Sequence, residues 1–181
     1  MAKFRLLHQL LLEQGVIQEA WVHRPVSIAR NDLEQIHPRT YHEAFSRDQL
    51  TPAEQRRIGL PATRPLIRRT WLAVGGTLLT ARLALRHGVA CHLAGGTHHA
   101  HPTFGSGFCI FNDCAVAARV LLNEGKVRRI LLIDLDVHQG DGTAACFRDD
   151  PRVTTLSVHA ASNFPLRKVE GDIDIPLDDG T

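Results

Sequence analysis

The run Ile130-Leu131-Leu132-Ile133, which leaves through Asp134-Leu135-Asp136, constrains the fold more than any other segment. Consecutive large apolar residues leave no polar face. They predict a strand over 130–136 covered on both sides, the environment of a strand inside a parallel sheet. The flanking sequence keeps the same rhythm. A helix is predicted over 112–124 and stopped by Gly125, another near 141–147, and a strand over 153–159. Upstream, Val89-Ala90-Cys91-His92-Leu93 reads as a short strand running into Gly95-Gly96. Strands alternating with helices imply an α/β fold on a mostly parallel sheet. The ligand site of such a sheet lies beyond the carboxyl ends of its strands. Here that points to three polar loops, 94–109, 134–143 and 157–168.

The earlier part of the chain is helical and polar. Phe4, Leu7, Leu11 and Leu12 predict an amphipathic helix over 4–14, ended by Gly15; it lacks the longer apolar run and small-residue cleavage site of a signal peptide. Pro25, Pro38, Pro52, Pro61 and Pro65 break the next fifty residues into short helices such as 39–47 and 51–58, the second opened by Thr51 as N-cap and Pro52 at its first position. A longer helix is predicted over 66–87, with Gly75-Gly76 as a close-packing point and Gly88 as its end.

Composition excludes little. The chain is 44% apolar and 22% charged, ordinary values for a folded chain. A net charge of +2 gives no electrostatic case for a nucleic-acid partner, and Arg56, Arg57, Arg64, Arg68 and Arg69 fit a solvated helix face. No stretch approaches the roughly 20 apolar residues of a membrane span. Cys91, Cys109, Cys114 and Cys146 form no CxxC pair and read as reduced thiols of a cytoplasmic protein.

The unusual figure is 11 histidines against a single tyrosine. Asp134, Asp136 and His138 leave the predicted strand at alternate positions, which places them on one side of an extended backbone. Such a concentration of ionisable groups at the end of a buried strand needs compensation, and a cation supplies it. An Asp oxygen and a His nitrogen are normal zinc ligands, and a catalytic zinc takes three protein donors and keeps a position open. His98-His99 follow Gly95-Gly96 at the end of another predicted strand; adjacent histidines can do different jobs, one as base and one as acid or electrostatic partner. Each needs a carboxylate on its far nitrogen, and Asp134 and Asp141 are the candidates. Gly105-Ser106-Gly107-Phe108-Cys109 lacks the lysine of a phosphate-binding loop; Phe108 and Phe164 read either as core residues or as apolar walls of a narrow channel.

These residues resemble a known family. GGTHHAHPTFGSGFCIFND (95–113) and ILLIDLDVHQGDGTAACF (130–147) are similar to the two signature blocks of the histone deacetylase superfamily. TLSVHAASNFP (155–165) resembles the block after them, and RPLIRRTWLAVGGTLLTARLALRHG (64–88) most resembles the class IV branch and its bacterial relatives. The resemblance runs over nearly the whole chain. It implies an arginase/deacetylase-type three-layer α/β fold, present as a single partial domain over 1–181 and incomplete at both ends. It further implies Asp136 and His138 as zinc ligands, His98 and His99 as the acid–base pair, Asp134 and Asp141 as their carboxylates, and Gly107, Phe108 and Phe164 as walls of an acyl-lysine channel. A structural potassium is implied at Asp134, Ser157 and backbone oxygens of Asp136, His138 and Val158, and a second monovalent site around Phe147, Asp150 and Val153.

The implied reaction is zinc-dependent hydrolysis of an acetylated lysine or polyamine, with His99 moving protons and His98 as electrostatic partner. No direct nucleic-acid or membrane partner is implied, and the oligomeric state stays open. The family's third zinc ligand and its transition-state tyrosine match positions beyond Thr181, and Tyr41 does not stand in for the tyrosine. These 181 residues alone are therefore expected to be inactive or nearly so. Two alternatives stay open: a non-catalytic module that binds an acetyl ligand or assembles with a partner, and a binuclear amidinohydrolase relative, against which the tandem histidines before the Gly-Phe-Cys turn weigh.

Overall fold

A computed structural model describes residues 2–181. Helix α1 spans Ala2–Glu13, and a single 3-10 turn covers Glu19–Trp21. Short helices α2 (Arg30–Leu33), α3 (Arg39–Ser46) and α4 (Pro52–Ile58) lead to the long α5 (Arg64–His87). Then come α6 (Asp113–Asn123), β1 (Ile130–Asp134), α7 (Asp141–Phe147), β2 (Val153–Ala160) and β3 (Ile173–Leu177).

Local chemistry accounts for the boundaries. Thr51 caps α4 through a reciprocal pair: Thr51 Oγ1 accepts from the Glu54 N–H at 3.3 Å, and Glu54 Oε2 accepts from the Thr51 N–H at 2.7 Å. Helix α5 begins two residues before the predicted start because Thr63 accepts the Leu66 N–H, with Pro65 in the first turn. Its Gly75 lies against the Val26 carbonyl, so the expected close-packing point is present. The core gathers where α5 crosses α6: Leu33, Phe45, Ile58, Val74, Phe111, Val116 and Val120 are all buried. Tyr41 belongs to this core; its hydroxyl donates to the Ile110 carbonyl at 2.7 Å.

His37 ties the core to the site above it. It is fully buried, donates from Nδ1 to the Pro102 carbonyl at 3.0 Å and accepts the Asn112 N–H at Nε2, at 2.8 Å. Burial, aided by the nearby His42 and only partly opposed by the Pro102 bond, lowers its pKa from 6.5 to about 4. Between those values the unfolded chain binds the extra proton, so the stabilisation is complete above pH 6.5 and is lost as pH falls through about 4. The expected cost at pH 4 is about 3 kcal/mol, at about 1.4 kcal/mol per pKa unit. Urea titrations from pH 7 to 4 check it: the His37→Gln protein should lose stability less steeply than the native sequence over this window, and equal slopes would remove His37 from the account.

The sheet is parallel, in the order β1-β2-β3. Ile130 pairs with Val153 and Asp134 with Ser157; Leu156 pairs with Ile173 and Val158 with Ile175. Three expectations need correction. Val89–Leu93 forms no strand, since it is paired with no other segment among the described residues, and Val89 is largely exposed. β1 ends at Asp134 rather than 136. It is also covered on one face only: Ile130 and Leu132 pack on the helical core, whereas Leu131 and Ile133 are 54% and 57% exposed. The sequence reading also missed β3, where Pro176 cannot donate to a ladder; the strand lies at the sheet edge, where that is tolerated.

The register places Leu131, Ile133, Leu156, Val158, Ile173 and Ile175 together on the open face. The apolar side of α1 is uncovered as well, with Leu6 and Leu10 about half exposed. Contiguous apolar surface of this kind drives association. The 181 residues by themselves should therefore self-associate in sedimentation velocity and bind an apolar dye. Leu131→Lys with Ile133→Lys should reduce both, and a dye-free monomer of the native sequence would contradict this.

Candidate active site

The tandem histidines sit in a loop suspended from three elements. Asn112, the N-cap of α6, accepts the Ala115 N–H at Oδ1 and donates from Nδ2 to the carbonyls of His98 (3.4 Å) and Ala100 (3.2 Å) and to Thr143 Oγ1 (3.1 Å). The Thr143 N–H in the first turn of α7 also reaches the His98 carbonyl, at 3.1 Å. Asp113, fully buried, accepts the N–H groups of Gly96 (3.0 Å) and Thr97 (2.7 Å), the Thr97 hydroxyl (2.6 Å) and the Thr77 hydroxyl. The Gly140-Asp141-Gly142 sequence has a steric reason. A Cβ on Gly142 would lie 2.4 Å from the Ala100 carbonyl oxygen and one on Gly140 2.3 Å from Asp134 Oδ2, so neither side of the loop admits a side chain there.

Two histidine–carboxylate dyads result, side by side. His98 donates from Nδ1 to Asp134 Oδ2 at 2.5 Å, and His99 from Nδ1 to Asp141 Oδ1 at 2.6 Å. The imidazole centroids are 4.0 Å apart. His99 and Asp141 are buried, while His98 and Asp134 keep partial access to solvent. Burial disfavours the charged form of His98, but the hydrogen bond and charge of Asp134, with Asp136 and Asp141 beyond it, raise its pKa overall. Asp141 shows the converse. Burial pushes its pKa up, and the bonds from His101 and His99 bring it below the usual carboxylate range.

Asp136 and His138 lie next to the dyads. Asp136 Oδ1 is 3.9 Å from His98 Nε2, 2.9 Å from His138 Nδ1 and 2.8 Å from the His138 N–H. Burial works against ionisation of Asp136, but the His138 N–H and the neighbouring imidazoles hold its pKa below the ordinary value, so it is ready as an anionic ligand. Both side chains are more open to solvent than a buried strand end implies, because β1 has already ended. Tested against zinc, the donor types and their spacing fit part of a site. Among the described residues no group of three or more His, Cys, Asp or Glu converges as a metal site, so these two donors stand alone.

Phe164 sets its ring edge-on to His99, with centroids 4.8 Å apart, and 6.1 Å from His138. Gly107 touches the same rings: a Cβ there would approach His99 Cδ2 at 2.7 Å and Phe164 Cε1 at 2.9 Å. Phe108, at φ 63°, points outward, 69% exposed, with its ring lying over Gly59. Phe164 and Gly107 therefore join the dyads directly, whereas Phe108 stands at the rim. Ser157 faces Asp134 across the ladder, and its hydroxyl lies 3.0 Å from His159 Nδ1 and accepts the Gly140 N–H at 3.3 Å. Val158 is on the opposite face of β2. Among the residues expected to line a second monovalent site, the carbonyls of Phe147 and Asp150 accept the N–H groups of Asp150 and Val153.

A cleft of about 300 Å³ opens onto His98, Asp134, Asp136 and Ser157. A larger one, about 550 Å³, lies elsewhere, between Pro25, His92 and the start of α5, and is lined by Arg64, Arg68 and Arg69. Sequence reasoning missed Asn112 and Asp113, which read as an ordinary helix start, and His101, whose Nε2 donates to Asp141 Oδ2 at 2.9 Å. His101 stands two residues after His99 in a loop, so alternation along an extended segment was an available signal.

Residues 1–177 match the histone deacetylase domain. The chain belongs to the histone deacetylase family. An uncharacterised protein of Picosynechococcus is 56% identical over 180 residues, which is 99% of this chain and 60% of that protein. The acetoin utilization protein AcuC of Staphylococcus aureus is 36% identical over 172 residues, covering 90% of this chain and 44% of AcuC. Among solved structures, an HDAC homologue from Aquifex aeolicus superposes with a TM-score of 0.85 at 31% identity, over 97% of this chain and 53% of that one. An HDAC homologue complexed with SAHA gives 0.82 at 28%, over 96% and 52%. This histone deacetylase family member thus shares the arginase/deacetylase α/β fold with its neighbours and spans about half the length of the relatives it matches. No described helix is long and apolar enough to cross a membrane.

Proposed function

We propose that this chain carries the acid–base half of a zinc-dependent amide hydrolase that converts N-acetyl-lysine, or a related acetylated amine such as an acetylpolyamine, to acetate and the free amine. The observation that carries it is the pair of adjacent imidazoles, each held at Nδ1 by its own carboxylate, beside Asp136 and His138. The family match and the SAHA-complexed neighbour support the same chemistry.

Asp136 and His138 would hold zinc, together with one donor more than the described residues bring together. Zinc, when bound, supplies Lewis acidity at the amide carbonyl and acidifies water. The rest falls to this chain's own side chains. Asp141 fixes the proton of His99 on Nδ1, which leaves Nε2, without a protein hydrogen-bond partner among the described residues, to accept a proton from water and return it to the departing amine. His98 lies within 4 Å of carboxylates of both Asp134 and Asp136, an arrangement suited to a positive charge that stabilises developing negative charge. Phe164 and Gly107 supply apolar wall to seat the acyl-lysine stem and keep water from the dyad, with Phe108 at the entrance. Asp134 and Ser157, paired across β1 and β2, support a structural potassium there. Four unpaired thiols support a cytoplasmic setting, and the whole forms one part of a deacetylase domain.

Zinc titration against a chromophoric chelator tests the metal assignment. Asp136→Ala with His138→Ala should weaken binding by at least about 100-fold, beyond the usual cost of losing an outer partner. Unchanged affinity in the double variant would place the metal elsewhere.

A further inference from the structure

We propose that His101 is a positioning residue for the proton-carrying dyad: it clamps the second carboxylate oxygen of Asp141, and Phe104 and Arg57 hold it in the orientation to do so. The inference rests on His99 being the residue that moves protons.

Asp141 uses both oxygens. Oδ1 accepts from His99 Nδ1 at 2.6 Å and Oδ2 from His101 Nε2 at 2.9 Å. The terminal torsion of an aspartate has a broad energy well, so one hydrogen bond leaves the carboxylate free to swing. Two donors on different oxygens fix its plane. Oδ1 then stays aimed at His99, and the proton of His99 stays on Nδ1. A second N–H donor also satisfies a buried anion that has no Lys or Arg partner among the described residues.

The His101 ring is itself held. It stacks on Phe104 with centroids 4.4 Å apart and 14° between the planes, and the His101 N–H donates to the Phe104 carbonyl at 2.9 Å. The Arg57 guanidinium sits 4.5 Å from the Phe104 centroid. Arg57 belongs to α4, and the Arg57 and Ile58 carbonyls at the end of that helix accept the N–H groups of Gly107 and Phe108. One helix end thus braces both the Asp141 clamp and the turn that brings Gly107 against His99. The chain Arg57–Phe104–His101–Asp141–His99 runs without a gap from the surface to the dyad.

Kinetics on acetyl-lysine peptide and nitrogen-15 histidine NMR test this on the zinc-loaded whole domain that contains this chain. His101→Leu should lower kcat by about 10-fold with KM nearly unchanged, and should broaden or shift the low-field Nδ1 proton resonance of His99. His101→Gln, whose amide N–H occupies the place of Nε2, should recover most of both. Wild-type kcat and resonance in the Leu variant would overturn the proposal, as would a Gln variant as impaired as Leu. If His101→Leu does not fold, Phe104→Leu, which only frees the ring, takes its place with the same two expected changes, and wild-type values for both would again overturn it. A whole domain containing this chain that hydrolyses no acetylated amine would sink the functional reading instead, and the NMR comparison would still decide the role of His101.

Discussion

Replacing His99 by alanine should lower the turnover of an acetyl-lysine peptide by about 10²–10⁴-fold, the range for loss of a positioned proton carrier. The asymmetry between the tandem histidines makes this expectation specific. His99 is buried, bonded to a buried carboxylate, faced by Phe164 and left with Nε2 unpartnered among the described residues. His98 is more open and lies between two carboxylates. His98→Ala should therefore cost less, about 10–10²-fold, because it removes a charge near the reacting centre while the proton path stays. Initial-rate kinetics on both variants check the order. Equal losses, or a greater loss in His98→Ala, would reverse the assignment.

The largest expected effect on stability lies at Asp113. Asp113→Ala should destabilise the fold by about 3 kcal/mol, because orphaned donors at a buried site cost about 1–3 kcal/mol each and two of those exposed by this change belong to the backbone. Four donors converge on the carboxylate: the N–H groups of Gly96 and Thr97 and the hydroxyls of Thr97 and Thr77. Together they fix the loop that delivers His98. Asp113→Asn keeps one acceptor oxygen but turns an amide N–H₂ toward donors, so it should recover only part of the loss. Thermal and urea unfolding read the cost. A loss under about 1 kcal/mol in the alanine variant would mean that water replaces the carboxylate and the loop is held otherwise.

The strand–helix rhythm and most helix ends were legible because the signals are local. The apolar run of β1, the Thr51 cap with Glu54 behind it, Pro65 in the first turn of α5 and Gly88 after its last all act within a few residues. The histidines and carboxylates of the site were legible as residue types at strand ends, and the structure brings His98, His99, Asp134, Asp136, His138 and Asp141 together. Features that depend on distant partners were not legible. Val89–Leu93 has the composition of a strand and nothing to pair with among the described residues. Leu131 and Ile133 read as buried because periodicity reports apolarity rather than cover, and the face they share with Ile173 and Ile175 is open among the described residues. Asp113 looks like a helix-start acid until Gly96 and Thr97, 17 and 16 residues earlier, are seen to converge on it.

The open apolar face and the proposed metal donors Asp136 and His138, with no third donor converging among the described residues, agree with a chain that spans about half the length of its relatives. The proposed catalysis therefore rests on the two dyads together with Asp136 and His138 beside them. Acetate released from an acetyl-lysine peptide by the zinc-loaded whole domain that contains this chain is the measurement to make, with and without a chelator and beside Asp141→Asn. Release should stop with the chelator, return with zinc and fall by about 10²-fold or more when Asp141 no longer holds the His99 proton. Release that persists in the chelator, or is unchanged in Asp141→Asn, would contradict it.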